Sequence, residues 1–179
     1  MKSLKYLNTI TGFTFVETLV TVLLYVMIAA ACYTALIAGN SSWQLTSTMV
    51  ELQQEFRKAM DFMTDDLRQA GSASITNVPA DGVWYNTITF KKCNGVAGGN
   101  ISWAGNTVQY VLGTGAGANR LLHKSGGQDK VIAQDIQTLQ IRRSLSTPNL
   151  VEVSLLAQKN TSGGKLLSFN SNFSVRLRN

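Results

Sequence analysis

Thr18 to Ala38 is a run of 21 residues without one charged side chain. As a helix rising about 1.5 Å per residue, it covers about 30 Å, the thickness of a bilayer's hydrocarbon core. The segment from Met1 to Gly12 carries only two charges, Lys2 and Lys5. A basic start followed by an apolar stretch reads as an export signal whose lysines stay in the cytoplasm. No later segment is long and apolar enough to span a membrane. The chain therefore reads as a single-pass or exported protein, with residues 40–179 outside the cytoplasm.

Three uses of this terminus compete. An ordinary signal peptide would be cut after small residues near Ala29-Ala30-Ala31. Ala30-Ala31-Cys32 would instead make Cys32 a lipidated residue. Neither use accounts for Glu17, which sits at the edge of the apolar run. A carboxylate inside a membrane costs roughly a few kcal/mol, so an ionisable residue there points to a function.

The residues Gly12-Phe13-Thr14-Phe15-Val16-Glu17 resemble the type IV prepilin processing motif. In that family a membrane peptidase cuts after the glycine, on the cytoplasmic side, and methylates the new amino terminus. The resemblance implies a leader of residues 1–12, cleavage between Gly12 and Phe13, N-methylation of Phe13, and retention of the apolar helix. Glu17 then becomes the fifth residue, the family's characteristic glutamate. Phe15 departs mildly from the pattern, since leucine is commoner there. The new amino group on Phe13 and the Glu17 carboxylate are four residues apart, one helical turn on one face. Among packed apolar helices an unpaired carboxylate is costly, and the amine of a neighbouring subunit would satisfy it. Such a pair would set axial register, as a buried polar residue does in a coiled coil.

Helical periodicity resumes from Trp43. Met49, Phe56, Met63 and Ala70 fall seven apart, with Leu52 and Ala59 on the second seam position. Met60 and Leu67 widen the stripe and Phe62 flanks it. This predicts an amphipathic helix that packs one face on its own domain. Gly71 stands where a helix C-cap is expected, and no proline interrupts residues 13–70. After Gly71 the pattern changes to period two with Gly, Asn, Ser and Pro turns. Strands are predicted at 87–92, 107–112, 120–124, 131–142, 150–157 and 167–177. The fold class is α+β: a long amino-terminal helix whose second half covers one face of an antiparallel β-sheet. The segments are 13–39 (membrane or filament core), 40–71 (amphipathic half) and 72–179 (head).

The helix end and the head narrow the resemblance. Asp66-Leu67-Arg68-Gln69-Ala70-Gly71 is similar to the helix end of minor pilins and pseudopilins of the PilW and GspJ type. Segments 108–112, 120–124 and 131–136, and the closing Arg178-Asn179, follow that family's order. The family implies a pilin-like lollipop whose partners are prepilin peptidase, other minor pilins or pseudopilins, the major pilin and the inner membrane.

No catalytic constellation or cofactor motif is legible, so the chain is not expected to be an enzyme. His123 is the only histidine, and with two cysteines a Cys/His metal centre is nearly excluded. His123 reads as an ordinary strand residue, and Cys93 as a free or buried thiol. Gly113-Thr114-Gly115-Ala116-Gly117 mimics a phosphate loop but lacks the following Gly-Lys-Ser/Thr. Asp65 and Asp66 read as helix-surface charge. The charge is divided: three basic against six acidic residues over 40–81, eleven against three over 82–179. A basic head can attract DNA, with Trp84, Tyr85, Trp103 and Tyr110 as stacking faces. A solvated basic surface over core aromatics is the favoured alternative. The expected function is a minor pilin-like subunit that primes or caps a type IV pilus. The alternatives are a minor pseudopilin of a type II secretion system and a DNA-binding tip subunit of a DNA-uptake pilus.

Overall fold

The computed structural model describes residues 14–178. Helix α1 spans Phe15–Arg68, so Gly39 and Asn40, the expected membrane boundary, lie within it. The chain divides into two compact units between Trp43 and Gln44.

In the first unit every residue from Thr14 to Trp43 is exposed. This part of α1 is long and apolar enough to cross a membrane. Its threonine hydroxyls are compatible with an apolar surrounding. Thr18 donates to the Thr14 carbonyl (3.3 Å), Thr21 to Glu17 (2.7 Å) and Thr34 to Ala31 (2.9 Å). These are all the threonines of the apolar run, and each satisfies its hydroxyl on its own helix.

The second unit contains the rest of α1 and seven strands. The strands are β1 (Thr87–Ala97), β2 (Asn100–Leu112), β3 (Leu121–Ser125), β4 (Gln128–Ala133), β5 (Ile136–Arg143), β6 (Leu150–Asn160) and β7 (Leu166–Arg176). The α+β class is as expected, a helix packed on antiparallel strands. The head, however, holds two sheets, ordered β1-β2-β3-β4 and β5-β6-β7, where one was expected. The predicted strand 131–142 is two strands in different sheets. The break falls at Asp135, whose φ of 61° is left-handed and takes the chain out of the first sheet. Aspartate tolerates this conformation better than β-branched neighbours would.

The helical stripe packs as predicted. Leu52, Phe56, Ala59, Met63 and Leu67 are buried, and Phe62 flanks them at 42% exposed. They meet Ile88, Phe90, Tyr110 and Leu121 of the first sheet and Leu139, Ile141, Val153 and Leu155 of the second. β5 and β6 alternate buried and open residues, as half-buried antiparallel strands do.

Gly71 is not a left-handed cap. Its φ/ψ of −104°/157° is extended, and a Cβ there would come within 2.2 Å of the Trp103 ring. Glycine is needed for that close approach. The residues after α1 instead tie both sheets together. Ala70 bridges Lys92 of β1, and Gly71 bridges Arg178 just beyond β7.

Candidate functional site

The described helix opens at Thr14. The Thr14 hydroxyl accepts the Glu17 backbone N–H at 3.3 Å, and the Glu17 carboxylate accepts the Thr14 N–H at 3.4 Å. This is a reciprocal capping box, which satisfies two donors that a helix start otherwise leaves open. It also places a negative charge at the positive end of the helix dipole. Thr14-Phe15-Val16-Glu17 fits the Ser/Thr-x-x-Glu pattern, so the box was legible in the sequence. Gly12 and Phe13, the expected cleavage and methylation positions, lie outside the described residues.

A second cluster sits at the other end of α1. Asp66 was expected on the helix surface; it is buried, at 7% exposure. Its Oδ2 accepts the Tyr110 hydroxyl at 2.8 Å and lies 3.2 Å from His123 Nε2. Its Oδ1 accepts Lys92 Nζ at 2.5 Å. Burial, reinforced by the Asp66 charge, pushes the Tyr110 phenol far above its usual range, so it stays a donor. His123 is thus more than an ordinary strand residue. It meets Asp66 and packs edge-on against the Tyr110 ring. The sequence carried the signal: Leu52, Ala59 and Asp66 fall seven apart, which puts Asp66 on the buried seam. The cluster joins α1, β1, β2 and β3 and is internally satisfied. A carboxylate engaged by Lys92, Tyr110 and His123 has little capacity left for a metal ion, and Asp65 beside it is exposed. Among the described residues, no three His, Cys, Asp or Glu side chains are grouped to hold a metal ion.

Other charges fasten the sheet switch to the helix. Glu55 accepts the Gln134 backbone N–H at 2.9 Å. Lys159 reaches Glu51 at 2.7 Å and Asp135 at 3.3 Å. The opposite charges of the helix and the head are therefore partly spent on one another. Arg142 pairs with Glu152 and covers the Trp84 ring at 4.5 Å. Arg143 is buried and donates to the Val78 and Pro148 carbonyls and the Ser72 hydroxyl. Burial lowers its pKa from the usual guanidinium value.

The aromatic residues are similarly committed. Tyr110 is fully buried, Trp103 packs over Gly71, and the Tyr85 hydroxyl donates to Asp81 at 2.6 Å. Gly115–Gly117 forms a short 3₁₀ turn with no α-helix behind it, unlike a phosphate loop. Both cysteines are free thiols: Cys32 is exposed on α1 and Cys93 is half-buried in β1.

No protein-family profile matches the chain, and no curated protein is significantly similar to it. A long amino-terminal apolar helix, packed through its second half on antiparallel sheets, is a pilin-like architecture.

Proposed function

We propose that this chain is a minor pilin-like subunit that helps prime or cap the assembly of a type IV pilus. It is held in the inner membrane by the apolar half of α1, with its head outside the cytoplasm. Prepilin peptidase removes residues 1–12 and methylates Phe13. Other minor pilins and the major pilin are its partners, and the chain itself catalyses no reaction.

One observation carries this reading: a carboxylate, Glu17, stands at the exposed start of a helix whose next 21 residues are uncharged. An export signal that is discarded has no use for it. A helix destined for an apolar filament core does. In the isolated chain the carboxylate rests in its capping box with Thr14. On assembly it would be buried, and an oppositely charged amino terminus on a neighbouring subunit would compensate the cost. Helices in the wrong register would leave Glu17 buried and unpaired, so the pair selects register.

The test is a pull-down of tagged full-length protein from native membranes, with mass spectrometry of bait and partners. Methylated Phe13 together with minor pilus subunits supports the proposal. Methylated Phe13 with secretion pseudopilins would move the function to protein export and keep the assembly mechanism. A mature terminus near Cys32 would overturn both.

A further inference from the structure

The four edge strands of the head are not treated alike. An open edge exposes a row of backbone donors and acceptors, and proteins usually cover, shorten, bulge or charge it. The outer edge of β1 is covered: Thr89 exchanges hydrogen bonds with Thr76 and Asn77, and the Cys93 N–H donates to the Gln69 carbonyl. β1 also carries two register shifts. β5 is covered by Tyr85, which exchanges two backbone bonds with Ile141 at 2.7 and 2.8 Å. β4 is only six residues long and contains Asp129 and Lys130.

β7 is protected only by the charge of Arg176 at its end. It runs for 11 residues, pairs with β6 without a register shift, and contains no proline, lysine or carboxylate. No strand or bridging residue pairs with its other edge among the described residues. The core is also incompletely closed beside it. Leu167, Phe169 and Phe173 are only partly buried, although Phe169 meets the Phe56 ring edge-on at 4.9 Å. A groove of about 270 Å³ runs there between α1 and β7, lined by Gln53, Phe56, Arg57, Met60, Phe169 and Ser171.

We propose that the free edge of β7 docks an extended, acidic segment of a different protein chain as an added strand. Backbone pairing along β7 would supply affinity, and alternate apolar side chains would complete the core over Phe169 and Met60. Charge identifies the occupant. Arg57 lines the groove, and Lys165 and Arg176 stand at the two ends of the strand. All three are exposed and outside every ion pair of the described residues. The carboxylate of β6 nearest the strand's end, Glu152, is held by Arg142. A second copy of β7 would bring two sets of these cations together, which disfavours self-pairing. An acidic strand neutralises them. This inference stands apart from the filament reading, because it needs only the head.

The experiment uses detergent-solubilised full-length protein and two peptides of about eight residues. One alternates valine with glutamate, the other valine with lysine. The glutamate peptide is expected to bind, more weakly as salt rises, and to protect the amides of 166–176 from hydrogen exchange. Arg176→Glu, on the outward face of β7 to which the glutamates of such a strand point, should weaken that binding by about tenfold or more and improve binding of the lysine peptide. Arg176 is a surface residue, and an unchanged melting temperature would show that the variant folds. Equal binding of both peptides, or protection elsewhere than β7, would overturn the proposal. So would protection of β7 that appears without peptide and grows with protein concentration, since a second copy would then be the occupant.

Discussion

The Tyr110 hydroxyl donates to the Asp66 carboxylate at 2.8 Å, joining the last full turn of α1 to the middle of the first sheet. Lys92 and His123 close around the same carboxylate. The aspartate continues the Leu52–Ala59 seam in the sequence and acts as a buried clasp in the fold.

Breaking the clasp at its centre should be expensive. Asp66→Ala leaves the half-exposed Lys92 without its carboxylate and the Tyr110 hydroxyl with only the Phe62 carbonyl at 3.3 Å, a loss of about 1.5–3 kcal/mol. Tyr110→Phe removes one hydrogen bond to a charged acceptor, a loss of about 1.5–3 kcal/mol. Chemical denaturation of the head, followed by tryptophan fluorescence, measures both. The double variant should lose less than the sum of the two, because they share one interaction. Strict additivity would mean that the bond contributes nothing.

Gly71→Ala should destabilise the head by about 1–3 kcal/mol, the usual cost of overpacking. The new Cβ would sit 2.2 Å from the Trp103 ring. Trp103→Leu, made in the Gly71→Ala background, should recover part of the loss. If Gly71→Ala is neutral, the ring swings aside freely and the close approach has no energetic meaning.

Glu55 gives the helix contact a pH dependence. Burial opposes ionisation, but the Lys58 ammonium and the Gln134 N–H outweigh it and hold the carboxyl below its ordinary value of 4.5. A lowered folded pKa contributes stability above the unfolded value, and that stability is lost as pH falls through the folded one. The wild-type head should therefore lose stability below pH 4.5 more steeply than Glu55→Gln. The difference should stay under about 1 kcal/mol, because Lys58 is largely solvated. Parallel acid titrations of the two proteins would remove the claim if they coincide.

On the proposed function, Glu17→Ala is expected to be cleaved after Gly12 and yet to fail to enter filaments. Processing is read by the mature amino terminus, incorporation by immunoblotting of sheared filaments. Normal incorporation would refute the register role.

The amino-terminal half of α1 was legible before any folding, because its evidence is local. An uncharged run of 21 residues and Thr14-x-x-Glu17 need no tertiary context to be read. The stripe Leu52, Phe56, Ala59, Met63 and Leu67 was equally legible, since helical period and burial coincide there. The long turn-rich half also announced its antiparallel strands.

What tertiary structure alone decided was where polar residues go. Asp66 lies on the buried seam, but its acceptability there depends on Lys92, Tyr110 and His123, which arrive from three strands. Gly71 looks like a cap in sequence, yet it is kept small by Trp103, 32 positions away. The division into two sheets turns on one left-handed residue, Asp135. Its neighbour Gln134 donates its backbone N–H to Glu55 on the helix, and Asp135 itself meets Lys159 from β6. Periodicity reports which face of an element is buried. It does not report which partner meets that face, because burying a charge depends on groups brought together from distant parts of the chain.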